Sequence, residues 1–206
     1  MIITIGRQTG SGGHEIAKKL AEALNLKFFD KEILNIAAED SGYDRRFFEK
    51  NDEKHGFFRN IVGTSVTTGA MGFFGGNYNN GFSQEKLFIL QSNAIKKAAQ
   101  EGNCLFVGRC ADYVLRDCAD VINIFITAPL EDRVARLMKR HNCSAEQAEK
   151  HIREKQDTRA SFYNYYSGKK WGNAASYDIC INSSLLGIDG TVEYIKNLIL
   201  NTVRNS

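Results

Sequence analysis

Two groups of residues in this chain have the types and spacing to do chemistry. One is the run Gly6-Arg7-Gln8-Thr9-Gly10-Ser11-Gly12-Gly13-His14, which holds four glycines within eight residues. The other is a scatter of arginines further along: Arg109, Arg133, Arg136, Arg153 and Arg159. Glycines let successive backbone N–H groups turn toward one point, and a helix start adds unpaired donors and the positive end of a dipole. Arginine's planar fork grips a phosphate in two places and keeps its charge. Together these are the needs of phosphoryl transfer, which is mostly positioning plus neutralisation of negative charge. A tight strand-to-helix turn would also use glycines in this way.

The standard phosphate loop reads G-x-x-x-x-G-K-S/T, with lysine on the β- and γ-phosphates and the hydroxyl on Mg²⁺. Here Gly10-Ser11-Gly12 follows the pattern, but Gly13 stands where lysine is expected and His14 where the hydroxyl belongs. The first glycine, Gly6, is one residue too far upstream. Arg7 or Lys18 could replace the lysine, and Thr9 or Ser11 the hydroxyl.

Asp30 follows a short strand pattern, Lys27-Phe28-Phe29, and precedes a helix pattern. It reads either as the helix N-cap or as a carboxylate facing the ligand crevice of an α/β sheet, and both can hold. From Glu131 to Lys170, basic residues alternate with acidic ones that balance many of them through local pairs. Arg133, Arg136, Arg153 and Arg159 stand out, because a helical hairpin could aim them back over the glycine loop as a lid. Interleaved Phe162, Tyr163, Tyr165, Tyr166 and Trp171 would also suit single-stranded nucleic acid, but the small net charge makes that partner the weaker reading.

The elements that must position these residues are legible. Ile2 to Ile5 is β-prone, and Ile16, Leu20 and Leu24 give the following helix an apolar face. Gln84 to Gln100 keeps helical period. Cys104-Leu105-Phe106-Val107 and Val121 to Thr127 read as buried strands, Tyr177 to Asn182 as a fifth. Ser144 with Gln147 forms a capping box for a helix, and Val192, Ile195, Ile199 and Val203 stripe the last one. Alternating strands and helices predict an α/β fold of three layers around a parallel sheet.

The rhythm breaks between Ser41 and Asn80. From Asn60 to Phe82 there is no charged residue, yet the stretch is too apolar for a solvated linker. Such an insertion should cover a substrate, the core or a second copy of the chain, so a homodimer through it is one expectation.

Composition narrows the rest. The chain has 206 residues, 43% hydrophobic and 25% charged, with a net charge of +3, which suits one globular domain and does not argue for nucleic acid or membrane. The five cysteines have no metal-ligand spacing, so reduced thiols are expected, with Cys104 and Cys180 buried in strands and zinc not called for. No signal peptide or membrane-spanning run is read at the start or elsewhere, and a cytoplasmic protein is expected.

With those residues set out, the chain resembles the cytidylate kinase-like family, relatives of bacterial CMP kinases among the P-loop nucleoside-monophosphate kinases. The resemblance rests on Ile3-Thr4-Ile5-Gly6-Arg7 with Gly10 to Ile16, on Phe28-Phe29-Asp30-Lys31-Glu32, and on Val107-Gly108-Arg109-Cys110-Ala111-Asp112-Tyr113. Ile126-Thr127-Ala128-Pro129-Leu130-Glu131-Asp132-Arg133, Arg159 with Tyr163, and Tyr165 to Gly172 complete it. It implies a single P-loop kinase domain with a parallel five-stranded sheet. The core would span 1–43, 83–139 and 173–206, with a helical monophosphate-binding insertion over 44–82 and a helical lid over 140–172. It implies ATP with Mg²⁺ as cofactors and in-line transfer to a nucleoside monophosphate, most simply a cytidylate, without a covalent intermediate. The backbone of Gly10, Ser11, Gly12, Gly13 and His14, with Arg7, would hold the donor phosphates. Asp30 and Arg109 would line the acceptor site, and Arg133, Arg136 and Arg159 would neutralise the moving phosphoryl group. Asp112 would position the acceptor or a metal-bound water, or simply cap a helix. The alternative is a regulatory protein that binds nucleotide and has lost transfer with the lysine.

Overall fold

The computed structural model describes residues 1–42 and 84–204; the insertion expected over 44–82 lies outside them. Five strands alternate with helices: β1 (Ile2–Arg7), α1 (Gly13–Ala23), β2 (Lys27–Phe29), α2 (Ile33–Ser41), α3 (Gln84–Gln100), β3 (Cys104–Val107) and α4 (Ala111–Val114). Then come β4 (Val121–Thr127), α5 (Leu130–His141), α6 (Ala145–Ser167), a 3₁₀ turn (Ala174–Ser176), β5 (Ile179–Asn182) and α7 (Ser183–Arg204). The strands form one parallel sheet, as the alternating pattern predicts; their order is β2-β3-β1-β4-β5.

The inner strands are largely apolar because both faces of the sheet are covered. Ile3, Ile5, Leu105, Val107, Ile124 and Ile126 pack with Ile16 and Leu20 of α1 and Val192, Ile195 and Ile199 of α7. Cys104 and Phe106 point the other way, into Ile33, Leu34 and Ala37 of α2 and Ala94, Ile95 and Ala98 of α3. On that second face β1 turns polar and small. Thr4 donates its hydroxyl hydrogen bond to Asn123 Oδ1 (2.7 Å), and a β-carbon on Gly6 would fall 2.8 Å from the Phe125 ring.

Two expectations change. Cys180 is exposed, because β5 is the outermost strand and only its Ile179 and Ile181 face reaches the core. Asp30 is not the cap of α2, which starts at Ile33 with Glu32 before it. The residues turn once between, and the Asp30 backbone N–H donates to Glu32 Oε2 instead (3.0 Å). The capping box of α6 forms as read, with the Ser144 hydroxyl accepting from Gln147 N–H and the Gln147 side chain from Ser144 N–H.

The helix α6 is a 23-residue arm. Its first half packs through Ala148 and Ile152 on Leu137 of α5. Its second half returns to the core, where Tyr166 stacks on Phe88 of α3 with centroids 3.8 Å apart. Trp171, just beyond, meets the Phe125 ring edge-on at 5.3 Å. Such aromatic pairs each add about 0.5–1.5 kcal/mol beyond the area they bury.

Candidate phosphate-binding crevice

Topology fixes where a ligand goes. The connection from β1 runs through α1 toward β2, whereas the connection from β3 crosses β1 to reach β4. The two neighbouring strands therefore part at their carboxyl ends, and crevices of open α/β sheets lie at such points. The end of β1 is the glycine loop, and the end of β3 is Gly108-Arg109-Cys110.

The loop is held from beneath. Gln8 accepts from the Thr127 hydroxyl (2.6 Å) and the Ala128 N–H (3.3 Å), tying it to the end of β4. The Ser11 hydroxyl is fully buried, donates to the Gln8 carbonyl (2.9 Å) and accepts from the Gly13 N–H (3.3 Å). Ser183 donates to the Ser11 carbonyl (2.6 Å). Gly10 and Gly12 have φ of 82° and 77°, and a β-carbon on Gly10 would lie 2.8 Å from the Arg133 carbonyl. The first N–H groups of α1, from Gly12 to Glu15, have no acceptor within the helix, so the loop presents an N-terminal anion cradle.

The arginines separate into distinct roles. Arg136 donates to the Gly10 carbonyl (3.3 Å) and to the hydroxyls of Ser183 (3.4 Å) and Ser184 (3.1 Å), so it stands directly beside the cradle. Arg159, on α6, donates to Thr9 Oγ1 (2.9 Å) and to the Arg7 carbonyl (3.3 Å). Burial pulls its pKa down, and the charge of Asp30 pulls the other way. Arg133 is buried and joins α5 to its surroundings through the Ala128 carbonyl (2.9 Å) and the Gln156 side chain. Arg153 lies on the solvent side of α6, paired with Glu149 (3.4 Å).

Asp30 sits at the centre of a cationic corner. His14 Nε2 is 3.2 Å from Oδ2 and Arg7 Nη2 is 3.9 Å from Oδ1. Burial works against the Asp30 charge, but the His14 hydrogen bond and the charges of Arg7 and Arg109 outweigh it and hold its pKa below the ordinary value. Arg109 is presented by an unusual turn. Gly108, Arg109 and Cys110 all have positive φ (72°, 62° and 54°), which costs the two non-glycine residues about 1–2 kcal/mol each. Strain of this kind concentrates at functional sites. Buried Gln91, on α3, accepts from Arg109 Nη1 (3.2 Å) and donates to the Arg109 carbonyl (3.5 Å), clamping the residue at both ends.

Across the crevice lies an aromatic corner. Asp112 accepts from the Tyr163 hydroxyl (2.6 Å), and Tyr177 and Trp171 line the same cavity with Thr4 and Gly6. Burial raises the Asp112 pKa despite the Tyr163 bond, and burial followed by Asp112 itself raises that of Tyr163. Sequence reasoning named Asp112 but missed Gln91, Tyr177 and the Tyr163 bond. Gln91 lies inside an unbroken helical pattern, which carries no sign that its side chain is buried against Arg109.

The glycine cradle fits the phosphates of a nucleotide. For Mg²⁺ the loop's own hydroxyls do not fit, because position 14 is histidine, the Ser11 hydroxyl is turned into the loop, and Thr9 Oγ1 accepts from the Arg159 guanidinium. Among the described residues no group of three or more His, Cys, Asp or Glu could hold a metal ion by itself. No described helix is long and apolar enough to cross a membrane.

The sequence model of the cytidylate kinase-like family matches residues 2–185. A cytidylate kinase from Ignicoccus hospitalis is 24% identical over 97% of this chain and 99% of its own length. One from Methanocaldococcus jannaschii is 26% identical over 98% of both. Among solved structures, an uncharacterized protein from Eubacterium ventriosum superposes with a TM-score of 0.68, at 28% identity and covering 100% of this chain and 99% of that one. Shikimate kinase from Bacteroides thetaiotaomicron shares the fold, with a TM-score of 0.53 at 13% identity over 97% and 98% of the two chains.

Proposed function

The chain belongs to the cytidylate kinase-like family, and from that premise we propose that it transfers a phosphoryl group from ATP to a nucleoside monophosphate, with a cytidylate as the favoured acceptor. The observation that carries this reading is the gathering of Arg7, Arg109, Arg136 and Arg159 around the cradle and Asp30, at the point where β1 and β3 part. Four arginines against two carboxylates, Asp30 and Asp112, leave excess positive charge, which a donor and an acceptor phosphate would neutralise. The relatives named cytidylate kinase, matched nearly end to end, favour the cytidylate acceptor.

On this reading the backbone N–H groups of Gly10, Gly12 and His14 hold the donor phosphates, while those of Ser11 and Gly13 close the loop on Gln8 and Ser11. Arg136 and Arg159 flank the phosphoryl group in flight, where desolvated guanidinium charge counts for more than it would in water. Arg109, clamped by Gln91, grips the acceptor phosphate opposite, so that attack runs in line without a covalent intermediate. Arg133 braces α5 against α6 and keeps Arg136 and Arg159 aligned. Asp112, Tyr163, Tyr177 and Trp171 receive the uncharged part of the acceptor. Any Mg²⁺ would come bound to the nucleotide rather than to the loop, and would supply charge neutralisation there.

An ADP-release assay with Mg²⁺ and CMP, dCMP, UMP, AMP or GMP tests the proposal, with the highest kcat/KM expected for CMP or dCMP. Absence of acceptor-dependent turnover, with no rise in melting temperature on adding ATP, would sink it. Stabilisation by ATP without turnover would instead identify a nucleotide-binding regulatory protein.

A further inference from the structure

The phosphate-loop pattern G-x-x-x-x-G-K sets its first glycine six residues before its lysine. Counted back from Gly12, which holds the second glycine, those two positions are Arg7 and Gly13. The chain therefore has a cation where the pattern has glycine and glycine where it has a cation. In the fold these two positions touch. A β-carbon on Gly13 would lie 2.5 Å from Arg7 Cβ, 3.1 Å from Arg7 Cγ and 3.2 Å from Ile126 Cβ. A β-carbon cannot swing aside as the end of a side chain can, so the backbone at this spacing admits a side chain at only one of the two positions.

We infer that the two departures are a single reciprocal exchange and that Arg7 is the phosphate-loop cation of this protein. The Arg7 side chain runs from the end of β1 across Gly13 and then across Gly108, where a β-carbon would collide with its Nη1. Its guanidinium ends 3.9 Å from Asp30, between the start of α1 and Arg109. From there a planar fork binds two phosphate oxygens at once, whereas the ammonium it replaces acts as a point charge. Lys18, the next basic residue after the loop, is exposed a full turn beyond His14 on α1. The inference rests on the proposed use of ATP as donor and names the residue that holds its phosphates.

The test measures MgATP affinity by calorimetry, and ligand-free melting temperature, for Arg7→Gln, Arg7→Gly, Gly13→Lys and the double variant Arg7→Gly/Gly13→Lys. Arg7→Gln keeps the β-carbon and most of the length but not the charge, and should weaken MgATP binding about 10- to 100-fold. Gly13→Lys alone should lower the melting temperature by roughly 4–10 °C. The double variant should recover both stability and affinity relative to the single variants. Arg7→Gln binding within twofold of the unaltered protein would overturn the inference, as would Gly13→Lys melting with it. A folded double variant that binds no better than Arg7→Gly would do so too. If the double variant does not fold, Arg7→Gln affinity and the Gly13→Lys melt decide. Turnover with CMP is recorded separately. MgATP binding that depends on Arg7 without transfer overturns the kinase reading and supports the inference, and transfer that survives Arg7→Gln does the reverse. Unaltered protein that binds no MgATP overturns both.

Discussion

Asp112 lines the crevice and Asp30 pairs with Arg7 of the same lining, and their surroundings push their pKa values apart. Both carboxylates lose water. Asp30 gains His14, Arg7 and Arg109, whose combined effect exceeds the burial cost and lowers its pKa. Asp112 gains a tyrosine hydroxyl and backbone N–H groups, which do not match that cost, so its pKa rises. The difference teaches that the crevice is divided by chemistry. One corner is rich in positive charge suited to phosphate, and the other is a low-dielectric aromatic wall suited to an uncharged ring or sugar. Separated environments of this kind let a single cleft treat two parts of one substrate differently.

The division can be broken most severely on the cationic side. Arg109→Ala should reduce kcat/KM for the acceptor by about 100-fold, since a charge-assisted bond to phosphate is worth roughly 1.5–3 kcal/mol. Its melting temperature should fall by only a few degrees, because the buried Gln91 oxygen loses its donor, and a loss of stability large enough to account for the lost activity would show the Gln91 clamp to be structural only. On the aromatic side, Tyr163→Phe removes the hydroxyl from a buried carboxyl and should destabilise the fold by about 1–3 kcal/mol, read by denaturant unfolding. It should also push the Asp112 pKa further upward.

Titration sharpens the contrast through sign. The Asp30 pKa is lowered in the folded state, so its stabilisation is fully present above the unfolded value of about 3.9 and fades as pH falls through the folded value. The stability gap between the unaltered protein and Asp30→Asn should therefore be constant near neutrality and shrink in acid. Asp112 has a raised pKa, so ionising it opposes folding. The unaltered protein should lose stability relative to Asp112→Asn as pH rises from about 4 through the folded value. Unfolding curves that change in the same direction for both variants would undo the comparison. The smallest effect belongs to Lys18→Ala, an exposed position, which should stay within about 0.5 kcal/mol of the parent and leave MgATP affinity unchanged.

The legible part of the site was the part with local signals. The glycine loop, the strand before it and the helix after it follow from spacing, and the α6 capping box could be read from Ser144 and Gln147. Arg136 and Arg159 could be named from charge, but so could Arg153, because residues on opposite sides of one helix look alike in a composition of alternating signs. Only the packing of α6 on Phe88, through Phe162 and Tyr166, decides that Arg159 faces the loop while Arg153 faces Glu149. The cap assignment at Asp30 failed because a carboxylate before a helix has two outlets, and His14 and Arg7 were the nearer partners.

By itself the sequence determined what periodicity and backbone freedom can encode: a parallel α/β core, a glycine cradle at the end of β1, and a supply of arginine. Contacts between positions distant in the chain were left to the tertiary structure. It decided the Gln91 clamp on Arg109, the left-handed turn that presents it, and the Tyr163 bond to Asp112 across 51 residues. It decided the glycine loop as well. Read along the chain, Gly13 is a missing lysine; in three dimensions it is the space that Arg7 occupies, because two β-carbons cannot share it.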